Sequence, residues 1–220
     1  MKLVAGAPAA VIGGRLLIAD VHLGIEFELR KKGVNIGGRE KPEATKINDL
    51  LESARADELW VLGDLKHDVR GFEKQERFMM HRFLKELDAE KVFVVKGNHD
   101  SLLEKMRGIT VFPPQGTVIE EGGKSYGLVH GHAAPSKKVL EANRILCGHQ
   151  HPRYSFKDSL GSWSVPCWVK TGKTLVFPAF GELSGGAEAN KKKFIGPLLK
   201  NAGKTAFYGL DGVKISSTKH

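Results

Sequence analysis

Five short stretches carrying groups able to ligate a metal punctuate this chain, most of them where a brief hydrophobic run stops. They are Asp20-Val21-His22, Gly63-Asp64, Gly97-Asn98-His99-Asp100, His130-Gly131-His132 and Gly148-His149-Gln150-His151. The runs before them, Arg15–Ala19, Glu58–Leu62, Lys91–Val95, Lys124–Val129 and Arg144–Cys147, have the length and composition of buried strands. Helical patterns separate the first three. Gly24–Lys32 stops at Gly33, a helix-terminating residue, and a polar loop spans Val34–Lys41. Pro42–Arg55 has Pro42 in its first turn and Ile47, Leu50, Leu51 and Ala54 on one face. Phe72–Leu87 carries Phe78, Phe83, Leu84 and Leu87. Strands alternating with helices predict a largely parallel sheet with helices packed outside.

Beyond His99 the pattern changes. Val118–Glu121 and Lys124–Val129 flank Gly122-Gly123 and predict a hairpin leading to His130. Short strands with Gly and Pro turns fill Pro152 to Phe177, then a loop spans Pro178–Gly186 and a short helix is expected over Lys191–Leu199. Thr205–Leu210 with Val213–Ser216 predicts a closing hairpin. With 220 residues and no repeat or long linker, the expectation is one domain over residues 1–220. The two cysteines, Cys147 and Cys167, form neither a disulfide framework nor a zinc knuckle, and a reducing cytoplasm is the simplest home. The first residues faintly resemble a leader peptide. A strand–turn–strand with Gly13-Gly14 at the turn is preferred, since cleavage near Ala10 would strip the partner from the strand that presents Asp20. No stretch approaches the ~18 apolar residues of a membrane span. The formal charge of +9 permits a polyanionic partner such as nucleic acid, with a solvated lysine-rich surface as the alternative. The run Lys191-Lys192-Lys193 is too short to separate the two.

Asp20 and His22 stand two residues apart, as do His149 and His151, so in extended chain each pair projects to one face. One Asp-x-His is common by chance; two such pairs joined by Asp64, Asn98 and a His-Gly-His are much harder to obtain without a shared purpose. Glycines at 63, 97, 131 and 148 allow sharp turns and close backbone approach.

Together these motifs resemble the calcineurin-like metallophosphoesterase superfamily, whose pattern is Asp-x-His, Gly-Asp, Gly-Asn-His-Asp/Glu, His and Gly-His-x-His, in that order. Within it, Ala19–Gly24 with Glu28–Gly33, Gly148–Pro152, Pro178–Phe180 and Leu183–Gly186 are similar to a compact archaeal branch related to the SbcD-type nuclease subunit. The resemblance implies a four-layer α/β/β/α sandwich of two mixed sheets flanked by helices, with the site on loops at the strand ends. It implies one metal held by Asp20, His22, Asp64 and His151, and a second held by Asp64, Asn98, His130 and His149, with Asp64 bridging. His99 would steady the transition state and protonate the leaving oxygen, a task suited to an imidazole of pKa near ~6.5. Two divalent ions about 3.5–4 Å apart can clamp a phosphoryl group and furnish hydroxide near neutral pH for in-line attack. Mixed nitrogen and oxygen ligation suits Mn²⁺, Ni²⁺, Fe²⁺, Zn²⁺ or Co²⁺ better than Ca²⁺ and does not choose among them; Mn²⁺ is the leading expectation.

Other residues keep two readings each. Asp100 either orients His99 or caps a helix starting near Ser101. His132 is expected close to the metals or the substrate rather than on a metal, with a surface role as the alternative. Lys66 and His67 depart from the superfamily's usual pair; they could reach a substrate phosphate or belong to a solvated loop. Arg30, Lys31, Lys32 and Arg39 either meet phosphates or form a solvated face, and His81 is expected on the surface. Trp60, Trp163 and Trp168 are expected in the core or an interface, not as base-stacking platforms. The activity expected is phosphoester hydrolysis, foremost of phosphodiesters, acting on a phosphate-ester substrate with no membrane partner. A nuclease is the alternative, though the chain lacks the added DNA-binding and coiled-coil regions of large repair nucleases. A non-catalytic metal-bound scaffold is the third reading, and the complete ligand set argues against it. Selection of the ester is expected from loops such as Val34–Lys41 and Lys66–Gly71, and oligomeric state is not legible.

Overall fold

The computed structural model describes residues 1–69, 74–200 and 202–219. The first sheet has six strands in sequence order: β1 (Lys2–Leu3), β2 (Ala10–Ile12), β3 (Arg15–Ile18), β4 (Glu58–Val61), β5 (Lys91–Val95) and β6 (Ile109–Phe112). β3 to β6 run parallel, while β1 and β2 join antiparallel, with Gly13-Gly14 turning β2 into β3. The second sheet begins with the hairpin β7 (Thr117–Glu121) and β8 (Lys124–Val129), then β9 (Arg144–Cys147). Gly122 and Gly123 both adopt positive φ at that turn, as a tight two-residue hairpin requires. β10 (Pro152–Asp158) and β11 (Gly161–Pro166) form a separate ribbon, followed by β12 (Trp168–Thr171), β13 (Thr174–Val176), β14 (Ala187–Glu188), β15 (Lys204–Tyr208) and β16 (Lys214–Lys219). The order β16-β15-β12-β13-β9-β8-β7 makes a second mixed sheet, and β14 extends the ribbon.

Side-chain alternation builds the layers. In β3, Leu16 and Ile18 face the helices α1 (Ile25–Lys31), α2 (Glu40–Ala54) and α3 (Lys74–Glu86), where they pack with Ala44, Ile47, Met80 and Phe83. Leu17 faces the other way, joining Trp60, Val95, Leu128, Trp168 and Phe177 between the two sheets. Strands buried on both faces read as continuous apolar runs, which is why they were visible in the sequence. The outer face of the second sheet, with Ile145, Val169 and Phe207, is covered by Val139 of α4 (Lys137–Glu141) and by Phe194 and Leu199. The expected sandwich of two mixed sheets between outer layers is the observed architecture.

Some expectations change. α2 begins at Glu40, so Pro42 sits inside its first turn. α3 buries Met79, Met80 and Phe83, whereas Phe78 lies one position off that stripe and is exposed, with Arg82 over its ring. Phe72, the expected start of that helix, and the end of the 66–71 loop lie outside the described residues. Lys191–Leu199 forms turns, not a helix. Gly196 has a φ of 85° and Pro197 follows it, a pair that a helix interior does not accommodate. The chain after Ser101 makes only a short 3₁₀ turn, Leu103–Lys105. Trp60 and Trp168 are core residues; Trp163 is half exposed on the ribbon, stacked on Phe156. No helix among the described residues is long and apolar enough to cross a membrane.

Candidate metal centre

The ends of β3, β4, β5, β8 and β9 meet at one edge of the facing sheets. The segment after β3 pairs with the segment after β4: Asp20 N–H donates to Gly63 O, His22 N–H to Asp64 O and Leu23 N–H to Leu65 O. His67 N–H then donates back to Leu23 O. This local ladder sets Asp20, His22, Asp64 and His67 side by side. Asp20, His22, Asp64, His149 and His151 all hold positive φ, five of the seven such non-glycine residues among those described. Left-handed backbone is uncommon outside glycine, Asp and His adopting it more readily than most, and it clusters where side chains must be re-aimed for function.

Asp20, His22 and His151 bring donor atoms within 4.8 Å of one another, and Asp64, His130 and His149 do the same. In the first group His22 Nε2 lies 3.2 Å from His151 Nε2, which is 3.2 Å from Asp20 Oδ1. In the second, His130 Nε2 lies 3.1 Å from His149 Nδ1, 3.1 Å from Asn98 Oδ1 and 3.3 Å from Asp64 Oδ2. The same Asp64 oxygen is 3.8 Å from His22 Nε2, so one carboxylate stands between the groups. Ligands about 2.1 Å from a shared ion stand about 3.4 Å apart at tetrahedral angles, the spacing found here. The donor set, two carboxylates, four imidazoles and an amide, fits divalent transition metals.

Burial governs the charges. It pushes the His22 ring down to about 3 and, with the charge of His130, the His149 ring down to about 4, leaving both neutral as ligands must be. Burial also opposes ionisation of Asp64 and His130, but their hydrogen bond and mutual charge prevail. Asp64 is held well below the carboxylate range and His130 is raised to about 9, so His130 would give up a proton on taking an ion. His130 Nδ1 donates to Leu62 O at 2.9 Å, which turns Nε2 toward Asp64. Glycine is required at Gly97: a Cβ there would lie 2.1 Å from Asp64 Oδ1.

His99 N–H donates to Asp64 Oδ1 at 2.8 Å, and His99 Nδ1 donates to the His67 carbonyl. Its Nε2 therefore faces the centre, 3.9 Å from Asp64 Oδ2. Asp100 does neither of its two expected tasks. Its fully buried carboxylate accepts backbone hydrogens from Asp64 (2.7 Å), Leu65 (2.9 Å), Lys66 (3.3 Å) and Gly97 (2.8 Å), clamping the two ligand-bearing turns together. Burial and the Asp64 charge push its carboxyl up to about 6.

Lys66 is fully buried, its ammonium donating to Asp68 O, so it does not reach a substrate phosphate. His67 is not in a solvated loop: with His22 and His99 it forms a third group of ring nitrogens within 4.8 Å. Its place follows from the 20–23/63–67 pairing, a through-space relation that no spacing in the sequence announces. His132 approaches the rings of His130 (5.2 Å) and His149 (6.1 Å) without joining a donor group, and its Nδ1 is buried without a hydrogen-bond partner. Arg39 is tied to Glu43 and Glu182, and Lys32 to Glu28. Lys31 lines a cleft with Phe27, His67 and His99, and His81 is exposed as expected.

Groups able to hold a metal, gathered at the strand ends of two mixed sheets, form a candidate metal centre. Residues 15–189 match the family profile described as the calcineurin-like phosphoesterase superfamily domain, and the chain belongs to that superfamily. Among solved structures, the nuclease MPE of Pseudomonas putida shares the fold at 24% identity and a TM-score of 0.64, over 92% of this chain and 88% of that one. Weaker likenesses include a protein of unknown function from Aquifex aeolicus, at 22% identity and TM-score 0.42 over 61% of this chain and 77% of that one. Another is vacuolar protein sorting 29 from Cryptosporidium parvum, at 17% identity and TM-score 0.42 over 94% and 97%. No curated protein matches the chain.

Proposed function

We propose that this chain is a dinuclear metal-dependent phosphodiesterase. The observation that carries the reading is the position of Asp64 Oδ2, 3.8 Å from His22 Nε2 and 3.3 Å from His130 Nε2, between two buried donor groups. Asp20, His22, Asp64 and His151 would hold one ion, and Asp64, Asn98, His130 and His149 the other, with Mn²⁺ favoured and Ni²⁺, Fe²⁺, Zn²⁺ or Co²⁺ as alternatives. When bound, such a pair supplies Lewis acidity to the phosphoryl oxygens and eases proton loss from water. The protein's own groups do the rest. Asp64, acidified by its neighbours, offers full negative charge between the donor groups. The His67 carbonyl fixes the His99 ring, so a proton carried on Nε2 faces the reacting centre and passes to the leaving oxygen.

The test is turnover of bis-p-nitrophenyl phosphate, monoesters, linear and cyclic diesters, DNA and RNA across Mn²⁺, Ni²⁺, Co²⁺, Zn²⁺ and Fe²⁺. Asp64→Asn is expected to abolish activity, and His99→Ala to lower it by about 10²–10⁴-fold. No turnover with any of these metals would sink the enzyme and leave the scaffold. The +9 charge supports a second reading, a nuclease, favoured if DNA is cleaved with salt-dependent affinity. Two free, buried thiols fit a reducing cytoplasm, and sheets shared across three core layers fit one domain over residues 1–220.

A further inference from the structure

The ring of His22 has two ends with different surroundings. Nε2 faces the donor cluster, 3.2 Å from His151 Nε2 and 3.8 Å from Asp64 Oδ2. Nδ1 points to the other side and lies 3.4 Å from Nδ1 of His67. His67 Nε2 in turn lies 2.7 Å from Glu28 Oε2. An ionised carboxylate only accepts, so the hydrogen of a neutral His67 sits on Nε2 and its Nδ1 is left as an acceptor. An imidazole that turns the Nε2 lone pair toward a cation keeps its hydrogen on Nδ1. The two requirements meet: His22 Nδ1–H donates to His67 Nδ1, and His67 Nε2–H donates to Glu28.

We propose that Glu28 and His67 form a positioning relay that fixes the tautomer and orientation of His22 for a divalent cation on its Nε2 side. This rests on the dinuclear reading above. The relay is anchored at both ends. His67 N–H donates to Leu23 O at 2.9 Å, and the His67 carbonyl accepts from His99 Nδ1. Glu28 comes from the exposed side of α1 and is also paired with Lys32. The same geometry explains why Lys66 is buried and His67 is not: the turn directs the second residue, not the first, toward the cluster. The rival arrangement is a third ion held by the rings of His22, His67 and His99, whose nitrogens also lie within 4.8 Å. The relay differs from it in using His67 as a hydrogen-bond acceptor with both ring nitrogens already engaged.

The experiment is Mn²⁺ titration of the full chain by calorimetry, with electron paramagnetic resonance to separate exchange-coupled pairs from single ions. Wild type, His67→Leu, His67→Asn and Glu28→Ala are compared, folding being checked by circular dichroism. The wild type is expected to bind two ions. His67→Leu weakens one of them by about 10–100-fold, so that at intermediate Mn²⁺ the coupled signal gives way to that of an isolated ion. His67→Asn, whose Oδ1 stands near the Nδ1 position, restores most of the affinity. Glu28→Ala, an exposed change that keeps the fold if His67→Leu does not, weakens the same ion several-fold. Two ions bound with unchanged affinity in both His67→Leu and Glu28→Ala would overturn the relay but leave the dinuclear reading standing. Three ions in the wild type and two in His67→Leu would overturn it in favour of the third ion. A wild type that binds none would overturn the dinuclear reading and the relay with it.

Discussion

Asp100 holds two turns together through four backbone hydrogens, those of Asp64, Leu65, Lys66 and Gly97. Asp100→Asn turns one accepting oxygen into a donor facing N–H groups in a site without water access. The expected loss is about 1–3 kcal/mol in urea unfolding, and an unchanged midpoint would refute the clamp. Gly97→Ala acts at the same seam by a different route. A Cβ 2.1 Å from Asp64 Oδ1 must displace that carboxylate, so Mn²⁺ binding should weaken while the circular dichroism spectrum stays native. Undiminished metal affinity would count against it. At this scale the sequence was legible where a residue's task follows from its own chemistry: Asp20, His22, Asp64, Asn98, His130, His149 and His151 stood out as donors and the structure brings them together. Asp100, Lys66 and His67 were not legible, because their tasks are set by groups up to 45 residues distant in the chain.

The strands were easier to read than the helices that cover them. β3, β4 and β5 are buried on both faces, so their apolar runs were continuous and their ends unmistakable. α3 misled because Phe78 looks like a core residue, yet Met79, Met80 and Phe83 carry the buried stripe. Phe83→Ala should therefore cost about 3–5 kcal/mol, while Phe78→Ala should change stability by no more than about 0.5 kcal/mol. Equal losses in chemical denaturation would show that the stripe is misplaced. The covering segment over Lys191–Leu199, expected as a short helix, forms turns for another reason. It is held by the Gln150 amide, which accepts from Ile195 N–H at 3.0 Å and donates to Ile195 O at 2.8 Å, and not by its own periodicity.

Across the molecule, the two ions of the proposed centre would draw on groups from five strand ends and so tie both sheets together. Metal that binds only the folded chain adds about 2.7 kcal/mol at a hundredfold excess over Kd. At this chain length the melting temperature should climb by about 5–10 °C between chelator and saturating Mn²⁺. A melting curve indifferent to Mn²⁺ would contradict a centre that bridges the sheets. The left-handed backbone at Asp20, His22, Asp64, His149 and His151 bears on the history open to such a molecule. At each of those positions glycine relaxes the backbone while deleting a proposed ligand, so mutational drift that removes the chemistry need not erode the fold. A lineage released from selection for hydrolysis can thus keep this sandwich intact and turn it to other uses.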